Sequence, residues 1–216
     1  MGFLEYLADN WEDLVETSIA HAQLVLFSLI AASLTGIVLG LLTYRRAFAA
    51  EAVLAIASTI LTIPSFALFA LMFAVPIIGL GFLPAFLALW LYGILAVLRN
   101  TVTGLRSVDW AVIESAQGMG MSGLQRLLRI ELPLAWPVIM AGVRTSGLIL
   151  MGIAAIASVI NGPGLGEYIF SGLARVGGAN SLNQVLAGTL GIVVLAVVFD
   201  GVLGFAGRLA TSRGVK

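Results

Sequence analysis

Along this chain, apolar runs long enough to cross a membrane alternate with short polar breaks. The first run extends from about Ala22 to Thr43 and is closed by Tyr44-Arg45-Arg46. The second, about Ala52–Val75, is interrupted by Pro64. A turn carrying Pro76, Gly79, Gly81 and Pro84 leads into a third, about Phe82–Leu98, ended by Arg99-Asn100. A fourth spans about Pro137–Ile160 and a fifth about Gln184–Phe205, ahead of Arg208, Arg213 and Lys216. Runs of roughly 17–25 apolar residues suffice for a helix to cross the hydrocarbon. The pattern therefore predicts an all-α integral membrane protein with about five transmembrane helices. Pro64 removes a backbone donor and predicts a kink in the second span, either as a gating device or as plain structure. Gly36 and Gly40 form a GxxxG, and Gly188, Gly191, Gly201 and Gly204 mark the fifth span. Small residues of this kind allow close helix approach in lipid, within one chain or at a dimer face.

Ahead of the first span, Leu4, Leu7, Trp11, Leu14 and Val15 fall near helical spacing, with Glu5, Asp9, Glu12, Asp13 and Glu16 among them. This predicts an amphipathic helix over 3–16, within an external segment 1–21 lying at the interface with Trp11 as an anchor. No basic stretch precedes an apolar core there, so the segment is not expected to be a signal peptide.

Composition agrees with the span pattern. Of 216 residues, 60% are hydrophobic and 10% charged, with mean hydropathy +1.08; soluble domains carry about 25% charged residues. Net charge is zero, but the cations are unevenly placed. With the N-terminus outside, the inner side receives Arg45, Arg46, Arg99, Arg106, Arg126, Arg129, Arg144, Arg208, Arg213 and Lys216, and only Arg175 lies outside. That bias predicts an external N-terminus, a cytoplasmic C-terminus, a cytoplasmic loop 100–136 and an external loop 161–183 with a short helix around Glu167–Arg175. An acidic N-terminal segment is also better tolerated away from an anionic inner leaflet.

The cytoplasmic loop holds a polar, arginine-bearing island at 114–133. Val108–Met119 reads as a short helix with Asp109 as N-cap. Gly118 and Gly120 interrupt it, and Ser122 caps a second helix, Gly123–Glu131. Leu124, Leu127, Leu128 and Ile130 make an apolar side of that helix, and Leu132-Pro133 is expected to end it. Two short helices meeting at Gly120 form an elbow suited to docking in a groove.

The spacing Glu114-Ser115-Ala116, three residues, Gly120, nine residues, Ile130-x-Leu132-Pro133 resembles the EAA signature of bacterial ABC importer permeases, with Ser115 in place of an alanine. Asn100-Thr101, Gly104–Asp109, Gly118–Ser122, Glu131–Thr145, Ile63-Pro64-Ser65 and Asn161–Gly166 look more specifically like the permeases for glycine betaine, carnitine and choline. At Asn161–Gly166 relatives more often carry Gly-x-Gly-Gly-Leu-Gly. The resemblance implies a type I ABC importer permease domain over 22–216, whose island, including Met121 and Ser122, forms coupling helices seated in a cleft of an ATPase. It implies two cytoplasmic ATPase subunits, a second permease subunit (identical or not), an external binding protein that delivers an osmoprotectant, and residence in the bacterial inner membrane. Methionine importer permeases share the plan and much of the loop, so an amino-acid importer is the alternative reading. Nothing in the pattern points to nucleic acid.

The chain holds no phosphate loop of the Gly-x-x-x-x-Gly-Lys-Ser/Thr type. ATP and Mg²⁺ are therefore expected in the partner ATPase, and this chain is expected to be non-catalytic, with no cofactor or metal of its own. It has no cysteine, and its one histidine, His21, stands before the first span, which disfavours an intramembrane hydrolase or a metal site. An ion-coupled secondary transporter is a rival of another class, but no inverted repeat is visible. Arg144 and Asp200 fall roughly 7–10 Å inside the fourth and fifth spans from their cytoplasmic ends. They are expected to pair or share a vestibule there, the alternative being separate snorkelling. For a trimethylammonium solute, Phe66, Phe69, Trp90 and Tyr92 are candidate route residues, with ordinary packing as the alternative.

Overall fold

Residues 2–77 and 79–210 are described by a computed structural model, the side chains of Leu209 and Ala210 excepted. Arg213 and Lys216, two of the cations assigned to the inner side, lie outside the described residues, as does the C-terminus. Among the described residues the chain is helical throughout. Four helices are long and apolar enough to cross a membrane, and one bent pair makes up to five.

The N-terminal segment departs from a single interfacial helix. A short α1 (Phe3–Asp9) stops at Asn10, whose side-chain amide donates to the Tyr6 carbonyl. From Trp11 a single helix, α2 (Trp11–Thr43, 33 residues), runs through the first span. No proline or glycine interrupts it before Gly36, so nothing stops the helix at the membrane surface. At 1.5 Å per residue it is about 50 Å long, against a hydrocarbon core of about 30 Å. Its first turns, with Glu12, Asp13 and Glu16, therefore extend beyond the length an apolar layer covers. His21 is accordingly inside a helix and fully buried, its Nε2 3.1 Å from the Met151 carbonyl oxygen. The outer loop closes over it at Gly164 (φ +133°), where a Cβ would fall 2.5 Å from the imidazole Nδ1.

The second span is broken rather than gently kinked. α3 (Ala47–Thr62) and α4 (Ser65–Phe73) meet at 91° across Ile63-Pro64. Ile63 is extended (φ −66°, ψ 127°), as the residue before a proline prefers. Its free carbonyl accepts the Tyr92 hydroxyl at 2.6 Å. The third span, α5 (Phe82–Arg106), continues two turns past its expected end, so Asn100 and Thr101 are helical. Their polar groups are satisfied inside the helix, Asn100 on the Ala96 carbonyl and Thr101 on that of Val97.

The elbow expected at Gly120 consists of α6 (Trp110–Gly118) and α7 (Gly123–Arg126). Leu132-Pro133 does not end the second arm. A π-helical turn, Leu127–Glu131, carries the chain directly into α8 (Leu132–Ala154). Pro133 sits in the first turn of α8, where a missing N–H is tolerated. α8 tightens into a 3₁₀ segment, Ala155–Ile160, before the outer loop, α9 (Gly166–Ala174) and α10 (Ser181–Ala210).

α5 is the central helix, packed between α2 and α8, with α10 laid on α8 and α9. Leu24, Leu89, Leu98, Ile139, Leu150 and Met151 fill the core. Close approach depends on small residues facing neighbouring backbone. A Cβ on Gly142 of α8 would fall 2.8 Å from the Ala96 carbonyl oxygen and 2.6 Å from Asn100 Cβ on α5. Gly142→Val should therefore lower stability by about 1–3 kcal/mol, read as a lower Tm of the detergent-solubilised protein. Gly201→Ala, with nothing within 4 Å, should leave Tm unchanged or slightly raised. Equal Tm values for the two variants would contradict the close α5–α8 contact.

Candidate functional site

The elbow between α6 and α7 is built by two consecutive caps. Asp109 Oδ1 accepts from the Ala111 N–H at 2.9 Å and starts α6. At the other end Gly120 takes φ +81°, a conformation glycine adopts freely. The Gly120 N–H donates to the Gln117 carbonyl and the Met121 N–H to that of Ala116, the paired bonds of a Schellman C-cap. Ser122 begins the next helix at once: its hydroxyl accepts from the Gln125 N–H and its own N–H donates to Gln125 Oε1 at 2.9 Å. The turn is thus fixed by Gly120-Met121-Ser122 alone.

Of the motif residues, Glu114, Ser115 and Ser122 are exposed. Ser115 donates its hydroxyl to the Ala111 carbonyl. Ala116 is buried, and Met121, Ile130, Leu132 and Pro133 are half-buried. The expected apolar side of the second arm divides. Leu127 packs toward the core, while Leu124 and Leu128 are 66% and 55% exposed. With Trp110 and Met119, also exposed, they give the elbow an apolar outer surface. Apolar groups exposed together on a projection are the pattern of a contact surface.

The group that holds the elbow to the membrane helices is Glu131, whose role was not read from its position inside the motif. It is buried, at 2% exposure. Tyr44 Oη donates to its Oε2 at 2.6 Å, and Oε1 accepts from Arg126 Nε at 2.8 Å and Arg45 Nη2 at 3.0 Å. Arg45 also lies over the Tyr44 ring, 5.1 Å from its centroid, and Arg106 Nε donates to the Tyr44 carbonyl at 2.9 Å. The carboxylate thereby ties the end of α2 to α7 and the root of α8, and Arg106 of α5 joins the cluster through the Tyr44 carbonyl. Residues five apart lie about 140° apart around an α-helix. The i→i−5 register of the π turn, seen in the Leu132 N–H bond to the Leu127 carbonyl, brings Arg126 and Glu131 to one side. Burial, and then the bond to Glu131, push the Tyr44 phenol up to about 12. It therefore stays protonated, and a donor, throughout the physiological range. The available signal was an acidic residue flanked by Ile130 and Leu132, with Tyr44-Arg45 closing the first span.

Arg144 and Asp200 form a two-pronged ion pair between α8 and α10, Nε to Oδ1 at 2.9 Å and Nη2 to Oδ2 at 2.6 Å. Both side chains remain partly exposed, at 44% and 30%. The four aromatic candidates do not converge. Phe69 and Tyr92 are buried in the core, and Tyr92 serves the broken second span. Trp90 is half-buried and donates Nε1 to Thr35 Oγ1 at 3.0 Å. Only Phe66 is exposed. At the opposite end of the bundle from the elbow, Tyr168 of α9 donates its hydroxyl to Asp13 of α2, and burial together with that carboxylate holds its pKa above the ordinary phenol value.

The model of a family described as the binding-protein-dependent transport system inner membrane component matches residues 32–209. The chain is 38% identical over 213 residues to the choline transport system permease protein OpuBB of Bacillus subtilis, covering 99% of this chain and 95% of that protein. It is 37% identical over 221 residues to the osmoprotectant import permease protein OsmW of Salmonella typhimurium, covering all of both. Among solved structures, an inward-facing MetNI methionine ABC transporter chain aligns with TM-score 0.75 at 22% identity, covering 94% of this chain and 96% of that one. At that identity the likeness speaks to the fold alone.

Removing one donor from a charged, buried acceptor costs about 1.5–3 kcal/mol. Tyr44→Phe should lower the stability of the solubilised protein by that amount, and the double-mutant cycle of Tyr44→Phe with Glu131→Gln should give a coupling above about 0.5 kcal/mol. Additive effects would contradict the Glu131 clamp.

Proposed function

This chain belongs to the family of binding-protein-dependent transport system inner membrane components, and from that premise we propose that it is the permease of an ATP-driven importer for quaternary-ammonium osmoprotectants such as glycine betaine, carnitine and choline. As a member of that family it is a non-catalytic, multi-pass inner-membrane subunit. The observation that carries the proposal is the elbow, a capped two-helix projection with exposed apolar groups, held through Glu131 at the root of α8 to the end of α2. Such a projection suits a cleft in a soluble subunit. In this reading two ATPase subunits bind ATP and Mg²⁺, and each receives one elbow, at Glu114, Ser115, Ala116, Gly120, Met121 and Ser122. A second permease subunit completes the pore, and an external binding protein loads it. The N-terminus faces outward, in keeping with the charge bias.

The substrate class is supported by relatives 35–38% identical over nearly the whole chain whose names specify choline, carnitine and glycine betaine. The methionine transporter shares the fold at an identity too low to inform the solute.

The test is a reconstituted complex of permease, ATPase and binding protein in liposomes. Uptake of betaine, carnitine or choline should require ATP and persist when ion gradients are collapsed. Stimulation by methionine alone, or loss of uptake with the gradient, would overturn the reading. Gly120→Val places a β-branched residue at φ +81°, where strain costs about 1–3 kcal/mol. ATP-driven uptake should fall by about tenfold if that strain enters the coupled step.

A further inference from the structure

The outward stripes of α2 and α10 are apolar, exemplified by Ile30, Leu34 and Val38 on the one and Val194, Val197 and Phe205 on the other. α3 differs. Phe48, Glu51, Ala55, Thr59 and Thr62 recur at three- and four-residue spacing along it, on one face, and all five are exposed. The two threonine hydroxyls are turned back onto the Ala55 and Thr59 carbonyls. Glu51 forms no ion pair among the described residues, although it lies in an apolar helix about 6 Å from its start. An ionised group at that position is stable facing water or a polar cavity, not lipid.

The break at the end of the same helix points the same way. Non-helical backbone at membrane depth is tolerated only where protein buries it or where it lines a water-filled space. Tyr92 satisfies the Ile63 carbonyl from the core side, while Thr62 and Pro64 on the other side are exposed. The polar stripe and the open side of the break thus belong to one end-to-end surface of α3.

We propose that this face of α3 lines the water-filled route of the solute, and that Glu51, with Phe48 one turn away, forms a low-affinity site for a trimethylammonium head near the cytoplasmic mouth. The proposal rests on the importer reading above. A carboxylate beside an aromatic face attracts a quaternary ammonium by charge and by the ring quadrupole. Choline carries a net positive charge, whereas betaine and carnitine bring a carboxylate that Glu51 repels. The site therefore favours choline over the zwitterions.

The chain contains no cysteine, so single cysteines report their surroundings without background. In the assembled complex in membranes, Ala55→Cys and Thr59→Cys should react with the charged reagent trimethylammonium-ethyl methanethiosulfonate about tenfold faster than Val197→Cys, because the reaction needs a hydrated thiolate. Equal or slower reaction would place this face against lipid and overturn the proposal whatever the solute. In the reconstituted importer, Glu51→Gln should reduce choline uptake relative to glycine betaine uptake by about fivefold. An equal effect on both solutes, or none, would overturn the role of Glu51. Failure of the importer reading shows separately, as absent ATP-driven uptake by the unmodified complex, and the labelling rates would still decide where α3 faces.

Discussion

A carboxylate removed from water must have its charge answered locally, and Glu131 is answered by Tyr44, Arg45 and Arg126 together. The position of the cytoplasmic elbow depends on that arrangement. The main packing partners of α6 are α7 and the π turn, so the elbow has little independent hold on the bundle. Its orientation is set where the π turn meets α8, and Glu131 sits at that junction with its donors on the end of α2 and on α7. A buried ion pair adds little net stability over an apolar contact, but leaving one partner unpaired costs about 3–5 kcal/mol. The cluster therefore acts mainly to specify one geometry. In the proposed importer a push on the elbow would reach α2 and α8 through Glu131, and α5 through the Arg106 bond to the Tyr44 carbonyl.

The rest of the bundle follows the corresponding rule for backbone. Every peptide group inside lipid needs a partner. The chain meets this with long uninterrupted helices, with hydroxyls and amides turned back onto their own helix, and with Tyr92 capping the one break. The exposed polar groups that remain are then informative. Arg144 and Asp200 neutralise each other across α8 and α10, while Glu51 on the α3 stripe has no ion-pair partner among the described residues.

Much of this was legible in sequence, for physical reasons. Spans announce themselves because lipid demands about 20 apolar residues, and the cap residues Asp109, Gly120 and Ser122 act locally, so their turns were readable one by one. The spacing of Arg144 and Asp200 from their span ends placed them at matching depth, and the two meet. What escaped depended on contacts distant in sequence. Leu132-Pro133 alone does not distinguish a helix ending there from one carried through by a π turn, whose Glu131 is held by Tyr44 and Arg45, 87 and 86 residues away in sequence. Aromatic side chains inside spans look alike until packing separates the buried Phe69 and Tyr92 from the exposed Phe66. The acidic pattern of the first 16 residues suggested an interfacial helix. The continuous α2 followed instead because no breaker interrupts it between Trp11 and the span.

The central claim is that the elbow is a rigid extension of the membrane helices, fixed by Glu131. In the complex proposed above, with a second copy of this chain as the other permease subunit, paired spin labels test it directly, one pair within a subunit at Gln117 and Leu42, another joining Gln117 of the two copies. On ATP-driven closure the account predicts an unchanged Gln117–Leu42 distance and a shorter distance between the two elbows. A shift of Gln117 relative to Leu42 within one subunit, with the elbow-to-elbow distance unchanged, would contradict it.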